Sequence, residues 1–293
     1  MAGAEAIEVI PTGKACGAEI RGVDLAKPID DVTFGQIHTA FAEHGIIFFR
    51  DQDVSGPTQV EFSKRFGELD IYVLAEYTLD DAPEILLISN IQENGRNIGL
   101  ADAGTTWHTD TSYIECPPLA TFLNARELPI KDGVVLGDTI FSSAAAAYDD
   151  LDPAFQRRID SLTAIHSYYG KHAARAKLGR SNRVEPSDEE DKSLQPVEHP
   201  VVRRHPINGK KSIYVSAGEC ISIPGMADED ALDLIDTLAA RIIDPKYHYR
   251  HNWQPGDFVI WDNCQLQHLA MRDYELPLRR LMYRTQVKGP RPT

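Results

Sequence analysis

The sequence predicts a mixed α+β protein that is mainly β, with a double-sheet jelly-roll core and helices packed outside it. Short β-type segments, several introduced by Gly or Pro turns, recur through the second two-thirds of the chain. These segments do not alternate one by one with helices, which argues against a doubly wound parallel sheet. A jelly roll with a few flanking helices fits this arrangement better.

The N-terminal third is predicted to supply two helices and a buried strand. Asp31 is placed to cap a first helix that ends at Gly45. The apolar run Ile46–Phe49 follows at once as a short buried strand. Ser55 opens a second helix, which Gly67 is placed to terminate.

The remaining chain is predicted to be mostly β. Strands are expected at residues 84–88, 121–128, 137–141, 211–216, 256–261 and 278–287. Two helices interrupt them, near residues 153–162 and at the amphipathic segment 228–243. Between residues 169 and 199 the chain is polar and charged, and a loop of this length typically is disordered or covers a site. We expect an active-site lid or a mobile insertion there.

Size, charge and cysteine content narrow the class of protein. The 293 residues are interpreted as one domain, 1–293, with no linker or internal repeat. A net charge of −14 without a basic stripe argues against a nucleic-acid partner. The four scattered cysteines are typical of reduced thiols in a cytoplasmic protein. With no signal peptide and no membrane-length apolar run, no membrane partner is expected.

The segment Trp107-His108-Thr109-Asp110 carries the strongest chemical signal. Side chains alternate along an extended segment, so His108 and Asp110 point the same way. Far downstream, His268 follows a strand ending in Trp261-Asp262-Asn263 and can add a second imidazole. A single HxD pair is weak evidence, but two histidines and one carboxylate with open positions suit non-haem Fe(II) and oxygen chemistry.

Two arginines near the C-terminus indicate an anionic ligand. Strand alternation places Arg280, Met282 and Arg284 on one face. On a solvated face both arginines would pair with the abundant acids, whereas inside the barrel they would need a bound anion to neutralise them. Arg280 lies only twelve residues after His268, so the two can share a cavity. A guanidinium binds a carboxylate through two parallel hydrogen bonds, which Lys cannot do.

Together these motifs make the chain resemble the taurine dioxygenase/2,4-D dioxygenase (TauD/TfdA) family of Fe(II)- and 2-oxoglutarate-dependent dioxygenases. The similarity runs over nearly the whole length. The segments that carry it are Arg21-Gly22-Val23-Asp24-Leu25, Phe66-Gly67-Glu68, Trp107-His108-Thr109-Asp110, Gly137-Asp138-Thr139, His199-Pro200-Val201-Val202, Trp261-Asp262-Asn263 and Arg279-Arg280.

The resemblance implies a role for each motif. His108, Asp110 and His268 would be the Fe(II) ligands, and Thr139 and Arg280 would bind the distal carboxylate of 2-oxoglutarate. The resemblance also implies the jelly-roll fold and O2 as a cosubstrate. It further implies that the protein forms a homo-oligomer, either a dimer or a tetramer. The reaction would oxidise a C–H bond of a small, anionic organic substrate with release of succinate and CO2. Sulfonates, aryloxyalkanoates and amino-acid-like molecules all fit.

Three positions are expected to bind the substrate. Arg284 matches the position that binds the acidic group in taurine dioxygenases. Tyr72 stands where those enzymes have a sulfonate-binding histidine, and its hydroxyl can donate but carries no positive charge. Glu219 stands where those enzymes carry an aromatic residue near the substrate. It is either a solvated loop acid or a contact for a cationic or amine-bearing substrate held by Arg284 at its other end.

Two other classes of function remain open. A non-catalytic, cupin-like protein would bind a metabolite through Arg280 and Arg284, although a complete metal-binding face argues against it. A zinc hydrolase would use the same three metal ligands. It leaves the arginine pair unexplained, and no residue is obviously placed as its general base.

Overall fold

The computed structural model of the 293-residue chain describes residues 7–71, 75–101, 103–168 and 195–293. Tyr72 and most of the predicted lid, residues 169–194, lie outside these ranges. None of the described helices is long and apolar enough to span a membrane.

Strands make up most of the regular structure in these ranges. In chain order they are β1 (Glu8–Pro11), β2 (Ala18–Arg21), β3 (Ile46–Phe49), β4 (Leu69–Asp70), β5 (Thr78–Leu79), β6 (Ala82–Ser89), β7 (Gln92–Glu93), β8 (Arg96–Asn97), β9 (Ala120–Glu127), β10 (Ile130–Lys131), β11 (Val134–Val135), β12 (Thr139–Ser143), β13 (Thr163–His166), β14 (Val197–Pro200), β15 (Val202–Arg204), β16 (Lys211–Ile213), β17 (Cys220–Ser222), β18 (His248–His251), β19 (Phe258–Asp262), β20 (Leu266–Ala270) and β21 (Leu281–Val287).

Helices lie between these strands. They are α1 (Asp31–His44), α2 (Gly56–Lys64), α3 (Ala144–Asp149), α4 (Pro153–Ile159) and α5 (Asp228–Ile242), with short 3-10 turns at Ala75–Tyr77 and Pro245–Tyr247.

The two N-terminal helices begin close to the predicted residues but differ in detail. The cap of α1 is Asp30 and not Asp31, because the Asp30 side chain accepts the Thr33 N–H. Ser55 caps α2 in the same way by accepting the Thr58 N–H. This helix ends at Lys64, before Gly67, because the following turns tighten into i→i+3 hydrogen bonds.

A nine-stranded major sheet links the two ends of the described chain. Its strand order is β1-β2-β3-β19-β9-β21-β6-β5, and β4 pairs with β21 at its side. All neighbours are antiparallel except β2 and β3. A second, three-stranded sheet has the order β18-β12-β20, and a third has β14-β13-β17.

The two principal faces of the major sheet are both buried, which explains its continuous apolar strands. In β3, Ile46 and Phe48 belong to the core shared with the β18-β12-β20 sheet, whereas Ile47 and Phe49 face α1 and α2. On the inner side Phe141 of β12 packs 5.7 Å from the ring of Trp261. The result is two stacked sheets with helices outside, so the predicted jelly-roll class is confirmed.

Most predicted strands are found, with shifted ends. The strand expected at 278–287 begins at Leu281, because Leu278 donates its N–H to Glu275 in a turn. The strand expected at 137–141 begins at Thr139, since Gly137 has a φ of 78° that interrupts extended backbone. The end of the predicted lid, residues 197–199, belongs to β14, which pairs with β13.

Candidate active site

The three predicted metal ligands meet between the two main sheets. His108 forms an isolated antiparallel bridge with His268 of β20, which brings the two imidazole centroids to 4.2 Å. Asp110 follows two residues after His108 and points to the same place. Its Oδ1 lies 3.6 Å from His108 Nε2 and 3.7 Å from His268 Nε2. One donor atom from each residue therefore faces a common point, all within 4.8 Å of one another.

Different forces orient the two imidazoles. The Nδ1 of His108 lies 2.7 Å from the carbonyl oxygen of Thr106, which places the proton on Nδ1 and leaves the Nε2 lone pair toward Asp110. His268 Nδ1 has no hydrogen-bond partner among the described residues. Its ring is instead held by packing, 4.9 Å from Trp261 and 5.9 Å from Phe141.

A buried hydrogen-bond network holds the Asp110 carboxylate. Thr121 Oγ1 donates to Asp110 Oδ2 over 2.6 Å, and Gln286 Nε2 donates to the same oxygen over 3.2 Å. The Asn263 side chain accepts from the Asp110 N–H and donates to Thr121 Oγ1. Hydrogen bonds thus fix Oδ2, and Oδ1 faces the two histidines and the Arg284 guanidinium.

The charge states of the three groups suit a metal. Burial alone would raise the pKa of Asp110, but the Arg284 guanidinium and the His268 ring hold it well below its ordinary value. Burial lowers the pKa of His268 to about 3, helped by the charge on His108. Burial also disfavours a charged His108, yet the neighbouring Asp110 carboxylate raises its pKa above the ordinary value. At neutral pH the site therefore offers an ionised carboxylate and at least one neutral imidazole.

A second buried group of potential ligands serves a structural purpose. His205, Asp262 and Cys264 lie close together, but hydrogen bonds already use their polar atoms. His205 Nδ1 accepts two backbone N–H groups, so its Nε2 carries the proton and donates to Asp262 over 2.6 Å. Asp262 also accepts from Gln265 and from the backbone of Cys264. This arrangement fixes the turn that presents Asn263 to the metal-binding face.

Arg280 and Thr139 lie together at one end of the cavity. Arg280 is only 4% exposed, its Nη1 donates to the Gly137 carbonyl over 2.6 Å, and its Nε has no partner in the described chain. Its guanidinium lies 5.7 Å from the rings of both Trp253 and Tyr274. The Trp253 indole N–H donates to Thr139 Oγ1 over 3.1 Å. Burial of this cation is costly unless an anion pairs with it.

Arg284 and Glu219 supply the opposite charges of the same cavity. Arg284 Nη2 lies 2.9 Å from Asp110 Oδ1, and its side chain is 11% exposed. Glu219 is partly buried, and one of its carboxylate oxygens accepts a hydrogen bond from the Ser216 hydroxyl. Both residues, together with the three metal ligands, Thr139 and Arg280, line a cavity of about 360 Å³.

The residues fit a bound Fe(II) and 2-oxoglutarate. Three mixed N/O donors converge and line a cavity, a donor set that suits non-haem iron. Arg280 Nε has no acceptor among the described residues and would donate to a carboxylate of 2-oxoglutarate. The cavity volume suits 2-oxoglutarate together with a small substrate.

Sequence reasoning found the charged residues of this site and missed most of their neutral partners. Alternation along the predicted strand 278–287 indicated Arg280 and Arg284, and one further step along the same face leads to Gln286. Thr121 lay within a predicted strand, but nothing in the sequence connected it to Asp110. Trp253 carries no local signal. Tyr72 lies outside the described residues, so its predicted role stays a prediction.

Comparison with known proteins agrees with this geometry. The family described as "Taurine catabolism dioxygenase TauD, TfdA family" matches residues 8–286. Pentalenolactone F synthase of Streptomyces arenae is 31% identical, covering 94% of this chain and 93% of that protein. The alpha-ketoglutarate-dependent sulfate ester dioxygenase of Pseudomonas putida is 32% identical, and the match covers 92% of this chain and 85% of that protein.

A solved structure shares the fold over its full length. The crystal structure of AAD-2 in complex with Mn(II) and N-oxalylglycine has a TM-score of 0.79 and 27% identity, covering 99% of this chain and 100% of that one. The family match over most of the chain and the two relatives above 30% identity decide between the function classes in favour of the oxygenase. The chain therefore belongs to the TauD/TfdA family and is a 2-oxoglutarate-dependent dioxygenase that uses Fe(II) and O2.

Proposed function

We propose that this dioxygenase oxidises a C–H bond of a small organic anion, with each charged group of the cavity in a separate role. His108, Asp110 and His268 would hold Fe(II). Thr139 and Arg280 would bind the distal carboxylate of 2-oxoglutarate. The observation that carries the proposal is that these residues, which are far apart in sequence, line one cavity of about 360 Å³.

The neutral residues prepare this site for the metal and the cosubstrate. Fe(II) and 2-oxoglutarate, when bound, supply the activation of O2 that oxidises the substrate, with release of succinate and CO2. The Thr121 hydroxyl keeps one Asp110 oxygen in place, so the other stays directed at the metal position. Trp253 and Tyr274 cover the Arg280 guanidinium, and this exclusion of water strengthens its attraction for a carboxylate.

Arg284 is proposed to bind the acidic group of the substrate. A guanidinium has five N–H donors, and the contact with Asp110 Oδ1 uses only part of this capacity. Ile88, Leu100 and Leu123 line the cavity nearby and would contact an apolar part of the substrate. The name of the sulfate ester dioxygenase relative supports a substrate with an anionic head group. Sulfonates, aryloxyalkanoates and amino-acid-like molecules remain the proposed classes.

A panel of such anions tests this proposal. Purified protein with Fe(II), 2-oxoglutarate and ascorbate should form succinate with at least one class, and His108→Ala and Asp110→Ala should abolish the reaction. Under argon, Fe(II) with 2-oxoglutarate should give a weak visible charge-transfer band. Protein that shows neither the band nor any consumption of 2-oxoglutarate would contradict the proposal. Tyr72 as a substrate contact, the homo-oligomer and the cytoplasmic location stay predictions.

A further inference from the structure

The cavity that contains the metal ligands is also lined by one further acid and by two tyrosine rings. Glu219, Tyr113 and Tyr168 all line it. The rings of Tyr113 and Tyr168 lie 4.9 Å apart with a 57° tilt. The backbone carbonyl of Glu219 accepts the N–H of Ser167, so Tyr168 and Glu219 are held on adjoining backbone. We call Glu219, Tyr113 and Tyr168 the acidic-aromatic wall.

Among the described residues, a hydroxyl group and not a basic side chain holds the Glu219 carboxylate. Its described contact is the Ser216 hydroxyl, which also accepts the Gly218 N–H. No cationic side chain of the described residues forms an ion pair with Glu219. Glu219 is partly buried and lines the cavity, which favours the ligand-binding interpretation of this residue over that of a solvated loop acid.

We propose that the acidic-aromatic wall binds a cationic ammonium group, so that the substrate is a small zwitterion with its acidic group at Arg284 and its amine at Glu219. This inference rests on the proposed function and narrows its substrate class. A carboxylate with two aromatic rings is a recurrent way of binding an ammonium group, through a charge-assisted hydrogen bond and cation–π contact.

The formal charges of the cavity with Fe(II) and 2-oxoglutarate bound also favour a zwitterionic substrate. Among the described residues that line the cavity, the acidic side chains are Asp110 and Glu219, and the arginines are Arg280 and Arg284. With Fe(II) and the dianion of 2-oxoglutarate added, these charges cancel. A zwitterion preserves this balance, whereas a simple anion leaves a net negative charge in a partly buried site.

Matched pairs of probes test the inference directly. In each pair an ammonium group replaces a methyl group of similar size: 2-aminoethanesulfonate with propane-1-sulfonate, and 3-aminopropanesulfonate with butane-1-sulfonate. Calorimetry under argon on protein loaded with Fe(II) and 2-oxoglutarate gives the affinities without turnover. The wild type should bind at least one amino probe about tenfold to a hundredfold more tightly than its alkyl partner, as expected for a hydrogen bond to a charged group.

Two sets of variants assign that preference to the wall. Glu219→Gln should abolish the preference for the amino probe, because it lowers the affinity for that probe and not for its alkyl partner. Glu61→Gln, on the exposed face of α2, should leave the preference unchanged. Tyr168→Phe should keep the preference and Tyr168→Leu should reduce it, since only the ring is needed for cation–π contact.

The outcomes separate this inference from the proposed function. Absence of the charge-transfer band in the loaded wild type contradicts the proposed function, and the zwitterion inference then falls with it. A normal band with no preference for either amino probe overturns the zwitterion inference alone. The zwitterion inference is also overturned if Glu219→Gln keeps the charge-transfer band and lowers the affinities for both probes of a pair equally.

Discussion

The Thr121 hydroxyl donates a hydrogen bond to Asp110 Oδ2 over 2.6 Å, and its direction is fixed by its neighbours. Asn263 Nδ2 and Gln286 Nε2 both point N–H groups at Thr121 Oγ1, over 2.9 and 3.0 Å. The hydroxyl proton therefore has Asp110 as its acceptor. This relay holds Oδ2, while Oδ1 faces the two histidines and Arg284.

Removal of this hydroxyl should weaken metal binding while leaving the fold intact. Thr121→Val keeps the shape of the side chain but leaves Asp110 Oδ2 without its shortest donor, so we expect Fe(II) affinity to fall about 10- to 100-fold. Thr121→Ser keeps the donor and should stay near wild type. Anaerobic metal titration measures the difference, and a Val variant with wild-type affinity would contradict the relay.

Adjacent arginines offer a matched test of the 2-oxoglutarate site. Arg280 is 4% exposed inside the cavity, whereas the side chain of Arg279 is 53% exposed and pairs with Glu127 over 3.2 Å. Arg280→Leu should raise the Kd of 2-oxoglutarate about 100-fold, because a charge-assisted pair contributes roughly 3 kcal/mol. Arg279→Leu should leave it unchanged. Titration of the charge-transfer band gives both constants, and equal effects would refute the assignment.

Gly137 limits the space around the same guanidinium. Its φ is 78°, and a Cβ there would lie 2.4 Å from Arg280 Nη1 and 2.7 Å from the Tyr274 ring. Gly133 has a similar φ of 79° but open space around it. Both Gly→Ala variants should lose about 1 kcal/mol of unfolding free energy through backbone strain.

Only Gly137→Ala should also displace Arg280 and raise the Kd of 2-oxoglutarate. Chemical denaturation measures the shared loss of stability, and band titration measures the binding. If Gly133→Ala weakened 2-oxoglutarate binding as much as Gly137→Ala, the close approach to Arg280 would not be the cause.

The strands of this fold were predictable because burial on alternate faces leaves a visible pattern. Residues 46–49 are all apolar since one face meets the inner core and the other meets α1 and α2. The same alternation placed Arg280 and Arg284 inside. The neutral partners were not predictable, because Thr121 and Trp253 reach their acceptors across 11 and 114 positions of sequence. Polar contacts at such separation depend on the completed sheet stacking and leave no local periodicity.

Arg284 should control substrate affinity more than the chemistry of the metal site. Its guanidinium shares the cavity with the ligands, and its Nη2 is 2.9 Å from Asp110 Oδ1. Arg284→Lys keeps the charge but loses the planar fork, so we expect KM for an anionic substrate to rise about tenfold. Arg284→Leu should raise KM further and retain the charge-transfer band. Loss of the band in the Lys variant would instead indicate a role at the metal.

Acid should destabilise the fold through buried neutral histidines, and His166 provides the clearest case. It is 1% exposed, with Ser112 Oγ 3.0 Å from Nδ1 and Cys220 Sγ 3.4 Å from Nε2. Burial, helped by the charge of nearby His199, lowers its pKa from 6.5 to about 3. The folded state thus binds this proton less readily than the unfolded state. The stability is fully present above pH 6.5 and is lost as the pH falls toward 3.

Over that interval His166 alone should lower the unfolding free energy by about 1.4 kcal/mol per pH unit. His166→Gln keeps hydrogen-bonding capacity but has no titrating group. Between pH 6 and 4, its unfolding free energy should therefore depend less steeply on pH than that of the wild type. The difference in slope should correspond to the uptake of about one proton on unfolding. Urea denaturation at several pH values, with a chelator present, gives both slopes. Parallel slopes would mean that His166 is not the buried group that acid must protonate.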